Sequence, residues 1–187
     1  MTDEVKVDVR RSGRRFDAEA VLDLAADAQT VWDTITDYGA LPRFMPGIRA
    51  CRVVEREALA DGDERLVVEQ QGEFRFLLFA QAMTVRLNIK HQYLRVSEAK
   101  AVSFDLGLFK RRAIDVFEGR YELTRQSGRR LAPRTQLRYT AVIGLRLPPP
   151  PTIGSMAVRQ NLAAQLEAVA AEIARRSGRP DPASRGR

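Results

Sequence analysis

A single cysteine and a single histidine in 187 residues leave little material for metal or nucleophile chemistry. Cys51 alone excludes an internal disulfide and any multi-cysteine metal site. It is read as a small hydrophobe, because no histidine lies near it in sequence to activate the thiol. His91, in IKHQYL at a strand end, makes neither a metal cluster nor a catalytic triad by itself and is read as a surface residue. No run approaches the roughly 20 apolar residues that cross a bilayer. MTDEVKVDVRR lacks the apolar centre of a signal peptide, so the chain as written is expected to be cytoplasmic, or periplasmic if an export signal is missing from it. Phosphate-cradling motifs are absent as well: GSMAVRQN has neither the lysine nor the spacing of a P-loop. There is no fixed-period repeat.

Aromatics make up only 7%, with no interleaved platform for stacking bases, and this weakens a nucleic-acid reading of the net charge of +7. The excess arginines gather at 10–15, 110–112, 128–130 and after Arg175, in ends and loops. A solvated surface accounts for them more simply than phosphate binding. The segment 177–187, rich in Gly, Pro, Ser and Arg, reads as a disordered basic tail.

What remains is a chain of 44% hydrophobic residues, long enough for one sizeable core. Residues 1–15 read as an N-terminal strand or arm, and 16–176 as the folded domain. FDAEAVLDL alternates with period two, the mark of a half-buried strand. Asp27 then offers an N-cap oxygen to AQTVWDTITDY, where Val31, Ile35 and Tyr38 recur at helical spacing. Trp32 sits one residue off that stripe and is expected to border the core. Gly39 is expected to end the helix in a left-handed conformation, Leu41-Pro42 to start a second, and Pro46-Gly47 to stop it.

About a hundred residues of strand pattern follow. Met83, Val85, Leu87 and Ile89 share a parity, as do Val102, Phe104, Leu106 and Leu108, then Phe117, Gly119, Tyr121 and Leu123, then Leu137, Tyr139, Ala141, Ile143, Leu145 and Leu147. The opposite parity is polar, so one face of the sheet is covered and the other is wet. Adjacent Val116 and Phe117 break phase with Ile114, which predicts a β-bulge. LPPPPTIG reads as an extended connector. After it, Leu162, Leu166, Val169 and Ile173 stripe a long helix with Ser155 as a candidate cap. One sheet with a single apolar face and one long helix implies an α+β fold in which the sheet curls around that helix.

Several segments carry a resemblance: ADAQTVWDTITDYGALPRFMPGIRACRVVERE at 26–57, VEQQGEF at 68–74, FEGRYEL at 117–123, TQLRYTAVIG at 135–144 and RQNLAAQLEAVAAEI at 159–173. Together they resemble the START-like (SRPBCC) helix-grip superfamily, in its polyketide cyclase/dehydrase and coenzyme-Q-binding branch. The resemblance implies a curved antiparallel sheet of about six to seven strands wrapped around a long C-terminal helix, with two short helices after the first long strand. It also implies an apolar or amphipathic guest between sheet and helix.

On that reading the guest is a lipid, isoprenoid or quinone, held without catalysis and without a cofactor or metal. The candidate contacts are Leu41, Phe44, Met45, Phe104, Leu106, Tyr121, Tyr139, Leu162 and Leu166, with the two tyrosine hydroxyls as polar handles. Leu41, Phe44 and Met45 form either a movable gate or a fixed lid. Arg52 and Gln70 are polar residues that parity turns inward if the strand phase holds, and the acidic residues are placed on the outward parity or in turns. The alternatives are an aromatase/cyclase-like enzyme acting on a polyketide-type substrate and, ranked last, a ribosome- or RNA-directed interaction protein. Transient contact with a membrane surface is compatible with carriage of such a guest.

Overall fold

The computed structural model describes residues 5–76, 79–105, 114–126, 132–146 and 150–178. Eight strands form one antiparallel sheet: β1 (Val7–Ser12), β2 (Arg15–Leu24), β3 (Ile48–Ala58), β4 (Glu64–Phe76), β5 (Phe79–Gln92), β6 (Val96–Asp105), β7 (Ile114–Arg125) and β8 (Thr135–Leu145). Their spatial order is β1-β2-β8-β7-β6-β5-β4-β3, so the chain runs as a meander from β3 to β8 and then closes β8 onto β2. Helices α1 (Ala28–Thr36) and α2 (Leu41–Phe44) bridge β2 to β3, and α3 (Pro151–Arg176) ends the fold. The sheet exceeds the six to seven strands expected from sequence because Val7–Ser12 pairs with β2 in full register as an edge strand. Among the described residues, no helix is long and apolar enough to cross a membrane.

Local chemistry explains most boundaries. The Asp27 carboxylate accepts from the Thr30 amide at 2.8 Å and from the Thr30 hydroxyl at 2.8 Å, capping α1 as its sequence suggests. The end of that helix differs from expectation. Gly39 does not take a left-handed conformation, because Asp37 closes the chain instead: its carbonyl and its Oδ1 accept from the Ala40 amide at 2.9 and 3.2 Å. Gly47, at φ +80°, makes the sharp exit from α2 into β3.

At the other end of the chain, α3 starts at Pro151, so Ser155 lies inside the helix rather than capping it, and Pro151–Gly154 are helical rather than extended. Proline in the first helical turn lacks only a donor that has no partner there anyway. The predicted bulge is present in β7, between Ile114 and Val116. A second one, between Ala101 and Ser103 of β6, leaves Val102 out of the ladder and 50% exposed, against the parity reading that placed it inside.

The buried side chains fall into two groups. The larger joins Phe16, Val31, Leu137, Leu166, Val169 and Ile173, all nearly inaccessible, between α1, α3, β2 and β8. Each such side chain contributes about 1.5–3 kcal/mol by leaving water. The smaller joins Tyr38, Leu41, Leu66, Val68, Leu87 and Ile89, under α2 and over β4 and β5. α3 packs mainly on β1 and β2 and touches α1 and α2. It therefore fills one side of the concave sheet and leaves the other side to the residues around α2.

The outer face carries the charge. Arg52 and Arg86 flank Glu69, Lys100 meets Glu118 at 2.9 Å, and Arg120 lies between Glu98 and Glu122. Much of the arginine content of the strands is thus paired along the sheet. Residues 110–112 and 128–130 lie outside the described residues.

Candidate functional site

Between the two buried groups lies a cavity of about 230 Å³. Its apolar walls include Leu87 and Ile89 from β5, Ile143 from β8, and Val158, Leu162 and Val169 from α3. The hollow exists because the apolar stripe of α3 packs chiefly toward β1 and β2 and touches the β4–β5 side only lightly, at β4. Pro46 and Gly47 line it and are also solvent-exposed, so the cavity meets solvent at the exit of α2.

Of the residues expected to contact a guest, Leu41, Met45, Tyr121, Tyr139 and Leu162 line this cavity. Phe44 does not; it is half-buried and packs between the two apolar groups. Phe104 is half-buried against the larger group, and Leu166, 1% exposed, is locked inside it. Leu106 lies outside the described residues. Gln70 turns inward and lines the cavity, whereas Arg52 points outward to Glu69 at 2.8 Å.

Polar groups cross the concave face in one line. By strand register Glu64 pairs with His91, His91 with Ser97, Ser97 with Tyr121, and Tyr121 with Tyr139. Directly paired residues project to the same face, so these five side chains form a row across β4, β5, β6, β7 and β8. Tyr38, just past α1, closes over the row. Its hydroxyl is 2.8 Å from His91 Nε2, its ring stacks on the imidazole, and Ser97 lies beside it. On the far side of the imidazole, Nδ1 lies 3.5 Å from Glu64 Oε2. Trp32 of α1 meets the same ring edge-on, with centroids 5.2 Å apart.

Burial sets the electrostatics of the row. It pushes the phenols of Tyr38, Tyr121 and Tyr139 up, Tyr121 to about 12, so all three are neutral hydroxyls at ordinary pH. Desolvation lowers the His91 pKa from 6.5, against an opposing pull from Glu64. Tyr121 and Tyr139 stand with ring centroids 4.8 Å apart. Neither hydroxyl is hydrogen-bonded to another described residue, and no buried side-chain oxygen or nitrogen among the described residues is sealed off without a partner. Both oxygens therefore face the open space of the cavity. Cys51, half-buried beside the smaller apolar group, has its thiol pushed up to about 11 by burial and is inert as a nucleophile.

The structure corrects two readings here. His91 is 3% exposed, not a surface residue, because β5 runs on to Gln92 and His91 continues the inward series Met83, Val85, Leu87, Ile89. Glu64 likewise begins the inward series of β4 that continues through Leu66 and Val68, although it looks like part of an acidic turn. Parity alone contained both signals. Among the described residues, no three His, Cys, Asp or Glu side chains converge to hold a metal ion.

A second, wide groove of about 1,050 Å³ runs across the outer face over Arg56, Lys90, Glu98, Lys100, Glu118 and Arg120. It is open to solvent and lined by side chains that neutralise one another, as in the Lys100–Glu118 pair. Such a surface offers little to distinguish a ligand from water.

A bent antiparallel sheet clasping a long C-terminal helix, with a hollow between them, defines a helix-grip domain of the START-like class. The chain belongs to the family described as polyketide cyclase/dehydrase and lipid transport, whose sequence model matches residues 24–170. Solved structures agree in fold. Zhui aromatase/cyclase from Streptomyces sp. R1128 superposes with a TM-score of 0.65 at 19% identity, covering 87% of this chain and 95% of that one. A STAR-related lipid transfer protein from Xanthomonas axonopodis gives 0.61 at 13% identity, covering 92% and 95%. A START superfamily protein from Mycobacterium smegmatis gives 0.57 at 19%, covering 87% and 97%. No curated protein matches the chain by sequence.

Proposed function

We propose that the protein binds an apolar small molecule of lipid, isoprenoid or quinone type, with a polar end, in the cavity between sheet and α3. The observation that carries this reading is the pair of hydroxyls, Tyr121 and Tyr139, without a hydrogen-bond partner among the described residues, in a hollow whose mainly apolar walls also include Gln70, Ser97 and Gln165. Apolar walls with a few convergent polar groups are the usual composition of a ligand site. Two free phenolic donors favour a guest with a hydrogen-bond acceptor, such as a carbonyl.

The volume of about 230 Å³ bounds the guest. It lies just under the roughly 300–1,000 Å³ of typical ligand sites. A ring system or the end of a chain fits inside, and any longer tail leaves past Pro46 and Gly47. The family and the neighbours named as a lipid transfer protein and an aromatase/cyclase support a small-molecule role, and neither specifies the guest.

The test is organic-solvent extraction of the purified protein with mass spectrometry of the extract, followed by titration with a panel of quinones, isoprenoids and fatty acids. A stoichiometric bound species, or saturable binding of a panel member, is expected. An empty extract together with no affinity across the panel overturns the reading.

A further inference from the structure

In the sequence the arginines at 10–15 look like an ordinary solvated surface, but the fold puts them at the same end of the sheet as the mouth of the cavity. From the polar row β4 and β8 run the same way, β4 to Gly72 and β8 to Gly144. Gly72 pairs with Ile48, next to the mouth residue Gly47, and Gly144 pairs with Arg15. The β1–β2 turn at 12–15 therefore stands at one edge of that end and the exit of α2 at the other. The turn is firmly held. Gly13 takes φ +58°, Arg11 Nε donates to its carbonyl at 2.8 Å, and the Leu145 amide donates to the Arg14 carbonyl at 2.9 Å.

The charge at this end is not balanced. Its carboxylates already have partners: Asp17 is held by Arg15 at 2.8 Å, Glu73 by Arg49 at 2.7 Å and Asp115 by Arg146 at 3.7 Å, and Asp105 is engaged as well. Arg10 and Arg14 at the turn and Arg43 in α2 are exposed and meet no carboxylate among the described residues. Exposed apolar side chains share the same end. Met156, near the start of α3, is 47% exposed, and Val116, paired with Gly144 on β7, is 41% exposed. At the opposite end both signs occur, with Asp61 and Asp63 in the β3–β4 turn, Arg95 in the β5–β6 turn and Arg125 at the end of β7.

We propose that this end of the domain docks on a membrane surface rich in anionic lipid, with Arg10, Arg14 and Arg43 on the headgroups and Met156 and Val116 as apolar contacts. Arginines without acidic partners complement the negative surface potential of such a leaflet, and apolar side chains among them suit the headgroup region. The proposal rests on the binding reading above and names a partner for it. A guest of lipid type passes between bilayer and cavity without crossing water when the mouth faces the bilayer. Nucleic acid also attracts arginine, but single strands are held by aromatic stacking as well. Among the described residues the exposed aromatic, Tyr93, lies at the opposite end, in the β5–β6 turn. The β1–β2 turn precedes residues 24–170, so the match to the family does not extend to it.

The experiment incubates the full chain at low salt with phosphatidylcholine vesicles, with and without phosphatidylserine, and reads binding by flotation. The wild type is expected to float with the phosphatidylserine vesicles alone, and less so as salt rises. Each arginine at an anionic surface strengthens binding about fivefold, so Arg10→Gln combined with Arg14→Gln should weaken it about thirtyfold. Arg43→Gln, on the other side of the mouth, should weaken it about fivefold by itself. Arg95→Gln combined with Arg125→Gln removes the same charge from the opposite end and should leave binding within about threefold of the wild type. Met156→Ser, which changes no charge, should also weaken it, and a diffuse attraction of a basic protein to anions would not show that loss. No binding to the phosphatidylserine vesicles, or equal losses from the two arginine pairs, overturns the proposal. Tighter binding of a mixed-sequence single-stranded RNA at the same salt also overturns it, in favour of nucleic acid. The vesicles contain no member of the ligand panel, so failure here leaves the binding reading to the extraction and titration that decide it separately.

Discussion

Arg176, in the last turn of α3, reaches Asp37 just past α1 at 3.0 Å, and the same guanidinium holds Glu172 one turn back at 2.8 Å. This contact fastens the start of the α1–α2 connection to the clasped helix. Beyond α2 the chain is tied to the sheet, where the Glu73 amide donates to the Gly47 carbonyl at 2.8 Å. Tyr38, Leu41 and Met45 border the cavity between two fixed points.

The Glu172 carboxyl is predicted to make acid stability depend on this joint. Hydrogen bonds from Arg175 first, and then from Arg176, hold it at about 2, below the ordinary 4.5, despite an opposing desolvation effect. A folded-state pKa below the unfolded one means that the stabilisation is complete above about pH 4.5 and disappears as pH falls toward 2. Thermal melts across that window should show a steeper loss of Tm for the wild type than for Glu172→Gln. Parallel curves would contradict the assignment.

The N-cap of α1 is predicted to contribute measurably to stability. Asp27→Ala removes acceptors from the Thr30 amide and hydroxyl and should lower stability by about 1 kcal/mol. The change should appear as a lower urea midpoint with an unchanged slope, and Asp27→Asn should recover most of it.

Gly72 is predicted to tolerate no side chain. A Cβ there would lie 2.2 Å from the Gly47 carbonyl oxygen, which is backbone and has little room to yield. Gly72→Ala should cost about 1–3 kcal/mol and break the Glu73–Gly47 hydrogen bond. Faster amide exchange at Glu73 and a lower denaturation midpoint would show it, whereas wild-type behaviour at both would refute the close approach.

Filling the cavity is predicted to separate binding from folding. Val85 lines the hollow from β5, and Val85→Phe places a ring in space that is empty. Stability should change by less than the roughly 1–3 kcal/mol that overpacking costs in a filled core. Affinity for whichever panel member binds should fall by at least about tenfold, or 1.4 kcal/mol. Unchanged affinity would place the ligand elsewhere.

Legibility in the sequence follows the range of the interactions. The α1 cap, the α3 stripe and the strand parities depend on residues within a few positions of one another, and all were readable from spacing. Where local rules competed, the reading slipped. Asp37 rather than Gly39 ended α1, because a side-chain oxygen supplied the turn without a left-handed residue. At Val102 a bulge reversed the phase of β6, since an unpaired residue costs the ladder one position and no periodicity announces it.

By itself the sequence determined that a half-polar sheet needs one long apolar helix to cover it, because burial of an alternating face is dictated residue by residue. It also placed Tyr121, Tyr139 and Leu162 on the inner face. Only the tertiary structure decided that Glu64, His91, Ser97, Tyr121 and Tyr139 form one row, because strand register joins positions far apart in the chain. The hollow is also a tertiary outcome. Its volume is what remains where two apolar groups, each satisfied by its own packing, fail to meet.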